Sequence, residues 1–104
     1  KGVIYVGGEN DFGFIDSDKS GKSSFYSFID SLKSELVPFG QINQVACIQN
    51  EVYYCSNKIL FKWNGKSIAQ IEKSVTGLEL FKVNHELYLE IKEKGLFKLI
   101  NTQV

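Results

Sequence analysis

Glu51-Val52-Tyr53-Tyr54-Cys55 and, after Ser56-Asn57-Lys58, Ile59-Leu60-Phe61-Lys62-Trp63 form the passage on which the fold turns. Successive side chains of a strand point to opposite faces, yet apolar residues stand here at both parities. A sheet with one wet face would alternate apolar with polar, so these strands need cover on both sides. A helical reading fits poorly, because such runs are rich in Val, Ile, Tyr and Phe and are interrupted every few residues by Asn or Gly.

The phrase recurs. Gly2-Val3-Ile4-Tyr5-Val6 and Glu86-Leu87-Tyr88-Leu89-Glu90 repeat the first run, with Tyr5, Tyr53 and Tyr88 in register. Phe12-Gly13-Phe14-Ile15 and Gly95-Leu96-Phe97-Lys98-Leu99-Ile100 repeat the second. The later two copies share a strand in front, at 42–48 and 78–83. The spacings between the tyrosines bracket the ~40 to 45 residues of a four-stranded propeller blade. Gln49-Asn50, Ser56-Asn57, Asn64-Gly65 and Asn84-His85 punctuate the runs as turns, and Asn64-Gly65 is predicted to form a type I′ hairpin, which needs φ > 0 at both central residues. Propeller blades, each packed face to face between two neighbours, meet the demand for cover on both surfaces.

The sequence therefore predicts an all-β fold of about two four-stranded antiparallel meander sheets, a fragment of a larger β-propeller. Its expected parts are a partial blade at 1–16 with an irregular connection at 17–40, a full blade at 41–72, and most of another at 77–104. One segment leaves two alternatives. Phe25, Phe28, Ile29, Leu32 and Leu36 recur at helical spacing with Pro38 just beyond, so 25–36 reads equally as a short helix or helical turn or as the outer strand of the first blade.

Composition narrows the function classes. Twelve cationic and twelve anionic side chains give zero net charge, which argues against a nucleic-acid surface. No apolar run approaches the ~20 residues needed to cross a bilayer, so this segment is expected to make no membrane contact. The opening Lys1-Gly2 leads straight into a strand and reads as an internal cut. With Gln49-Asn50 as a two-residue turn, Cys47 faces Val52 and Cys55 faces Gln44, an arrangement that keeps the sulfurs apart.

Chemistry-bearing patterns are sparse. Asp16-Ser17-Asp18-Lys19-Ser20-Gly21 matches the first half of a calcium loop, but Ser27 stands where the closing carboxylate belongs. It reads as an ordinary turn, with no metal expected. His85 is the sole histidine and has no ligand partner at metal spacing. Gly7-Gly8 lacks the lysine and helix start of a phosphate loop, and no cofactor motif is present. Neither a catalytic set nor an enzyme is expected.

Ile4-Tyr5-Val6-Gly7-Gly8-Glu9-Asn10-Asp11-Phe12-Gly13-Phe14, Val52-Tyr53-Tyr54-Cys55 with Leu60-Phe61-Lys62-Trp63-Asn64-Gly65, and Leu87-Tyr88-Leu89 with Lys94-Gly95-Leu96-Phe97-Lys98-Leu99 resemble the propeller repeats in the sensor regions of Bacteroidetes-type signalling proteins. These are hybrid two-component histidine kinases and their helix-turn-helix regulator relatives. The resemblance spans nearly the whole chain. It implies a periplasmic or extracellular sensor of many blades within a membrane protein, followed by an immunoglobulin-like triple-tyrosine domain, a membrane helix and an output module. It further implies a ligand, in known members often a carbohydrate or glycan fragment, whose occupancy is relayed to a kinase or to transcription. A structural or protein-interaction propeller is the alternative.

Propeller sites gather at one end of the central channel. The expected ligand-binding residues therefore lie in the loops joining second and third strands: Glu9, Asn10 and Asp11, then Ser56, Asn57 and Lys58, then Lys92, Glu93 and Lys94. The expected partners are other blades or copies of the chain, because so few blades leave open edges and faces. Sedimentation of the isolated chain is accordingly expected to reveal an oligomer.

Overall fold

The computed structural model describes residues 3–32 and 38–99. Lys1-Gly2, the Leu36 end of the ambiguous segment and the last strand's Ile100 lie outside them. The described strands are β1 (Ile4–Gly8), β2 (Asp11–Ser17), β3 (Ser23–Ser27), β4 (Ile42–Ile48), β5 (Glu51–Ser56), β6 (Ile59–Trp63), β7 (Ile68–Lys73), β8 (Leu78–Val83), β9 (Glu86–Ile91) and β10 (Gly95–Leu99). They form three antiparallel meander sheets, β1-β2-β3, β4-β5-β6-β7 and β8-β9-β10. The fold is all-β, with sheets arranged as blades of an unclosed stack.

The middle sheet is covered on both faces, as its sequence demands. Val52 and Tyr54 of β5, with Ile59 and Phe61 of β6, join Phe12 of the first sheet in one core. Tyr53, Cys55 and Leu60, from the opposite parity of the same strands, join Leu78, Leu80, Leu87, Leu89 and Ile91 of the third sheet in a second core. Each fully buried side chain of this size contributes ~1.5–3 kcal/mol relative to exposure. The first core centres on Phe12, whose ring lies 4.6 Å from Tyr54, 4.7 Å from Phe61, 5.4 Å from Phe39 and 5.5 Å from Phe28. The Tyr54 hydroxyl spans the gap between sheets and donates to the Gly13 carbonyl at 2.7 Å.

Between Ile42 and Gln44 the register of β4 on β5 shifts by a bulge. Such an extra residue re-aims the side chains that follow it. Ile42 stays in the first core, while Gln44 turns toward the third sheet and grips the edge of β8: its amide donates to the Leu80 carbonyl at 2.8 Å and accepts from the Leu80 N–H at 2.7 Å. Gly7 permits the approach of the first sheet, since a Cβ there would run into the Ile42 side chain.

Several local readings are settled by the register. Gln49-Asn50 closes a two-residue hairpin, and Cys47 pairs with Val52 and Cys55 with Gln44, as the sequence predicts; both cysteines are free. Over the described part of 25–36 both alternatives are present in succession, strand to Ser27 and then a helical turn. Phe25 lies in β3, opposite Ile15, and the chain then makes a single 3-10 turn at Ile29–Ser31. Phe28 and Ile29, two of the residues at helical spacing, pack into the first core from this turn. β3 also occupies part of the stretch expected as irregular connection, so the first sheet has three strands.

The Asn64-Gly65 hairpin is corrected. Trp63 pairs with Ile68, leaving a four-residue loop in which Gly65 has φ 97° while Asn64 stays outside the left-handed region. The cause is the Asn64 side chain, whose Oδ1 accepts the N–H groups of Lys66 and Ser67 at 2.8 and 2.9 Å, the local capture that makes Asn a turn former.

Two substitutions test this packing. Tyr54→Phe removes the inter-sheet hydroxyl and is expected to lower stability by ~1 kcal/mol, whereas Phe12→Ala empties the hub of five rings and is expected to cost ~3–5 kcal/mol. Urea denaturation of the two variants measures both.

Candidate functional site

Consecutive antiparallel strands place the second-to-third-strand loops at the same end as the connections between sheets. Backbone hydrogen bonds tie the two sets together there. Asn10, at φ 55°, donates its N–H to the Gly40 carbonyl and accepts the Gly40 N–H on Oδ1, both at 2.8 Å. The Ser74 N–H donates to the Lys58 carbonyl at 2.8 Å and the Lys92 N–H to the Gly77 carbonyl at 3.0 Å. The Thr76 hydroxyl donates to the Lys92 carbonyl at 2.7 Å.

Much of the predicted loop set is therefore committed to the scaffold. Asp11 accepts the Ser27 hydroxyl at 2.6 Å. Ser56 is buried, and its Oγ accepts the N–H groups of Lys58 and Ile59 at 3.1 and 3.0 Å. Glu9 forms an isolated bridge with Gln41. Glu93, at φ 73°, and Lys94, whose N–H donates to the Ile91 carbonyl at 2.9 Å, shape the last loop. Asn57 and Lys92 are the two members brought to one cleft, a small one of about 90 Å³ that Glu79 and Glu90 also line.

A larger cleft, about 430 Å³, opens where the sequence placed no site: between β4 and β8, the first strands of the second and third sheets. Both are sheet edges, so polar backbone groups are directed into it. Asn43, Gln44, Cys47 and Lys82 line it together with apolar atoms of Val45 and Leu80. The Lys82 ammonium donates to the Cys47 carbonyl at 3.0 Å, crossing from one sheet to the other beside the Gln44–Leu80 pair. These residues escape a loop-centred reading because they sit within strands; the polar positions of otherwise apolar edge strands were the available signal.

At the opposite end a cleft of about 240 Å³ contains His85, Tyr53, Glu86 and Lys98. A Tyr–Glu–Lys arrangement occurs twice there. Glu51 accepts the Tyr53 hydroxyl at 3.3 Å and pairs with Lys62 at 3.3 Å; Glu86 accepts the Tyr88 hydroxyl at 2.7 Å and pairs with Lys98 at 3.0 Å. The hydrogen bond from Tyr88, then that from Lys98, holds the Glu86 carboxyl below its ordinary range. Burial, reinforced by Glu51, pushes the Tyr53 hydroxyl up to about 12.

The half-calcium pattern closes the β2–β3 turn. Asp18 Oδ1 accepts the N–H groups of Ser20 and Lys22 and the Ser20 hydroxyl, at 2.9, 2.9 and 2.7 Å. The Ser20 side chain is the main cause that lowers its carboxyl. No helix among the described residues is long and apolar enough to cross a membrane.

These features define the chain as an all-β stack of meander sheets with a polar cleft between inner edges. Compared with known proteins, it matches no family model, no curated protein and no solved structure.

The two cysteines differ in chemistry. Burial first, and Glu79 second, pushes the Cys55 thiol from 9.0 up to about 12, while Cys47 is exposed. Native-state alkylation followed by mass spectrometry is expected to label Cys47 alone. The unfolded chain releases the Cys55 proton first, so the folded state binds more protons between those values. Stability is expected to hold below about pH 9 and to fall as pH rises toward 12. Urea melts across that range should show Cys55→Ala moving the onset toward 10.0, the ordinary tyrosine value from which Tyr53 is raised.

Proposed function

We propose that the chain is part of an extracytoplasmic sensor, a propeller module that binds a polar ligand, with carbohydrate the leading class, and relays occupancy to a kinase or transcriptional output. The cleft between β4 and β8 carries this reading. Its lining combines amides at Asn43 and Gln44, the Lys82 ammonium and the exposed polar edges of two strands. Hydroxyl-rich ligands are matched by such mixed donors and acceptors, with apolar atoms for the faces of a sugar ring.

The location also supplies a route for signalling. At the mouth of this cleft, side-chain bridges between the sheets run from Gln44 to Leu80 and from Lys82 to Cys47. A ligand that spans both edges favours the arrangement in which they are close, and differential affinity for that arrangement is what moves a conformational equilibrium. The resemblance of the repeats to sensor propellers supports the same reading. The second reading, a protein-interaction propeller, draws on the apolar side chains exposed on the outer sheets, among them Ile4, Phe25, Phe81 and Leu96.

Thermal-shift screening of glycan fragments against the chain tests the proposal. A ligand that binds the folded state alone raises the melting temperature, by ~2.7 kcal/mol of stabilisation at a hundredfold excess over Kd. Lys82→Ala and Asn43→Ala are expected to abolish the shift while leaving the unliganded melting temperature within a few degrees. Absence of any shift across neutral and charged glycans would sink the ligand reading and leave protein interaction.

A further inference from the structure

Register makes the three sheets comparable position by position. Tyr5, Tyr53 and Tyr88 each stand three residues before the end of their strand. Counting from them, each sheet has a leading face, bearing the tyrosine, and a trailing face. The leading face of the first sheet, with Tyr5, Phe12 and Phe14, packs on the trailing face of the second, with Val52, Tyr54 and Phe61. The leading face of the second, with Tyr53, Cys55 and Leu60, packs on the trailing face of the third, with Leu87, Leu89 and Ile91. The rule is leading on trailing, twice.

Two faces are left over, and they are of opposite kind. The third sheet's leading face exposes Phe81, Val83 and Leu96, side by side with Tyr88, Glu86 and Glu90 across the strands. The first sheet's trailing face exposes Ile4 and Phe25, which flank Ile15 in one cross-strand row. Equivalent positions show what these faces lack. Leu60 is 0% exposed and Leu96, its counterpart, 62%; Val52 is 4% exposed and Ile4, its counterpart, 62%. The Tyr–Glu–Lys arrangement repeats the contrast: Lys62 and Glu51 are 14% and 13% exposed beside the third sheet, Lys98 and Glu86 51% and 49%.

We propose that the chain forms a closed head-to-tail dimer, in which the leading face of the third sheet of each copy covers the trailing face of the first sheet of the other. Both interfaces continue the packing already made twice within the chain. Closure sets the number of copies. Propellers close with ~4 to 8 blades; two copies of the described sheets bring six and three copies bring nine, so of these assemblies the dimer closes within range. A heterologous contact that fails to close would give filaments. Glu79 and Glu90 share the cross-strand row of Leu96 on the leading face and line the small cleft with Asn57 and Lys92. The inference is independent of any ligand.

Sedimentation equilibrium of the full chain tests it. The expected mass is twice the 11.8 kDa of one chain, without larger species. Ile4→Glu on the trailing face and Leu96→Glu on the leading face are each expected to weaken association at least tenfold, because each variant damages both interfaces. Mixing the two variants restores one intact interface per pair, and a heterodimer should form that neither variant forms alone. Val75→Ser, at a residue 99% exposed, should leave the dimer intact. Circular dichroism and the urea midpoint of each variant confirm a folded monomer; a variant that unfolds is replaced by Phe25→Ser or Phe81→Ser on the same face. A folded wild-type monomer at high concentration overturns the proposal and assigns the faces to sheets outside a second copy of this chain. Dissociation by variants of one face alone, or assembly into trimers or filaments, overturns it equally.

Discussion

The contact between Phe12 and the rings of Tyr54 and Phe61 holds the first sheet on the second, and the rest of the molecule is arranged around the need to repeat it. A strand with apolar side chains at both parities has no stable place in a sheet wet on one side. Stacking solves the problem for the middle sheet, whose β5 sends Tyr54 one way and Tyr53 the other. The same solution passes the problem outward, to sheets whose outer faces still carry Ile4, Phe25 and Leu96.

Polar groups are used sparingly and at the joints. Tyr54 to Gly13 links the first and second sheets, and Gln44 to Leu80 links the second and third. In each case a side chain satisfies backbone groups that would be costly to leave unpaired near a core. The bulge at 42–44 is what makes the second link possible, because it turns Gln44 to the side opposite Ile42 and Val45. At the inner edges these hydrogen bonds lie beside a sizeable cleft and add to the apolar core that joins the same two sheets.

The loops at the end where Asn10 meets Gly40 serve a different purpose. Asn10, Asp11 and Ser56 look functional when read as polar loop residues, but their oxygens are occupied with the backbone and side chains of neighbouring turns. Asn57 and Lys92 remain oriented to a shared cleft. Loop polarity reports turn formation as readily as ligand binding, and distinguishing the two requires knowing where each hydrogen bond goes.

Sequence alone determined the class of fold and the hairpin register that sets Cys47 against Val52 and Cys55 against Gln44. These follow from side-chain parity and turn chemistry, which act between neighbours. Where local signals competed, only tertiary structure decided. The Phe25–Leu32 pattern suited helix and strand alike until pairing with β2 drew Phe25 into β3 and left Phe28 in the first core. Asn64-Gly65 formed a longer loop because the Asn64 side chain captured two N–H groups. The cleft between β4 and β8 was illegible for a deeper reason: its walls come from strands more than thirty residues apart, and their approach is set by the stacking of sheets, which no local pattern encodes.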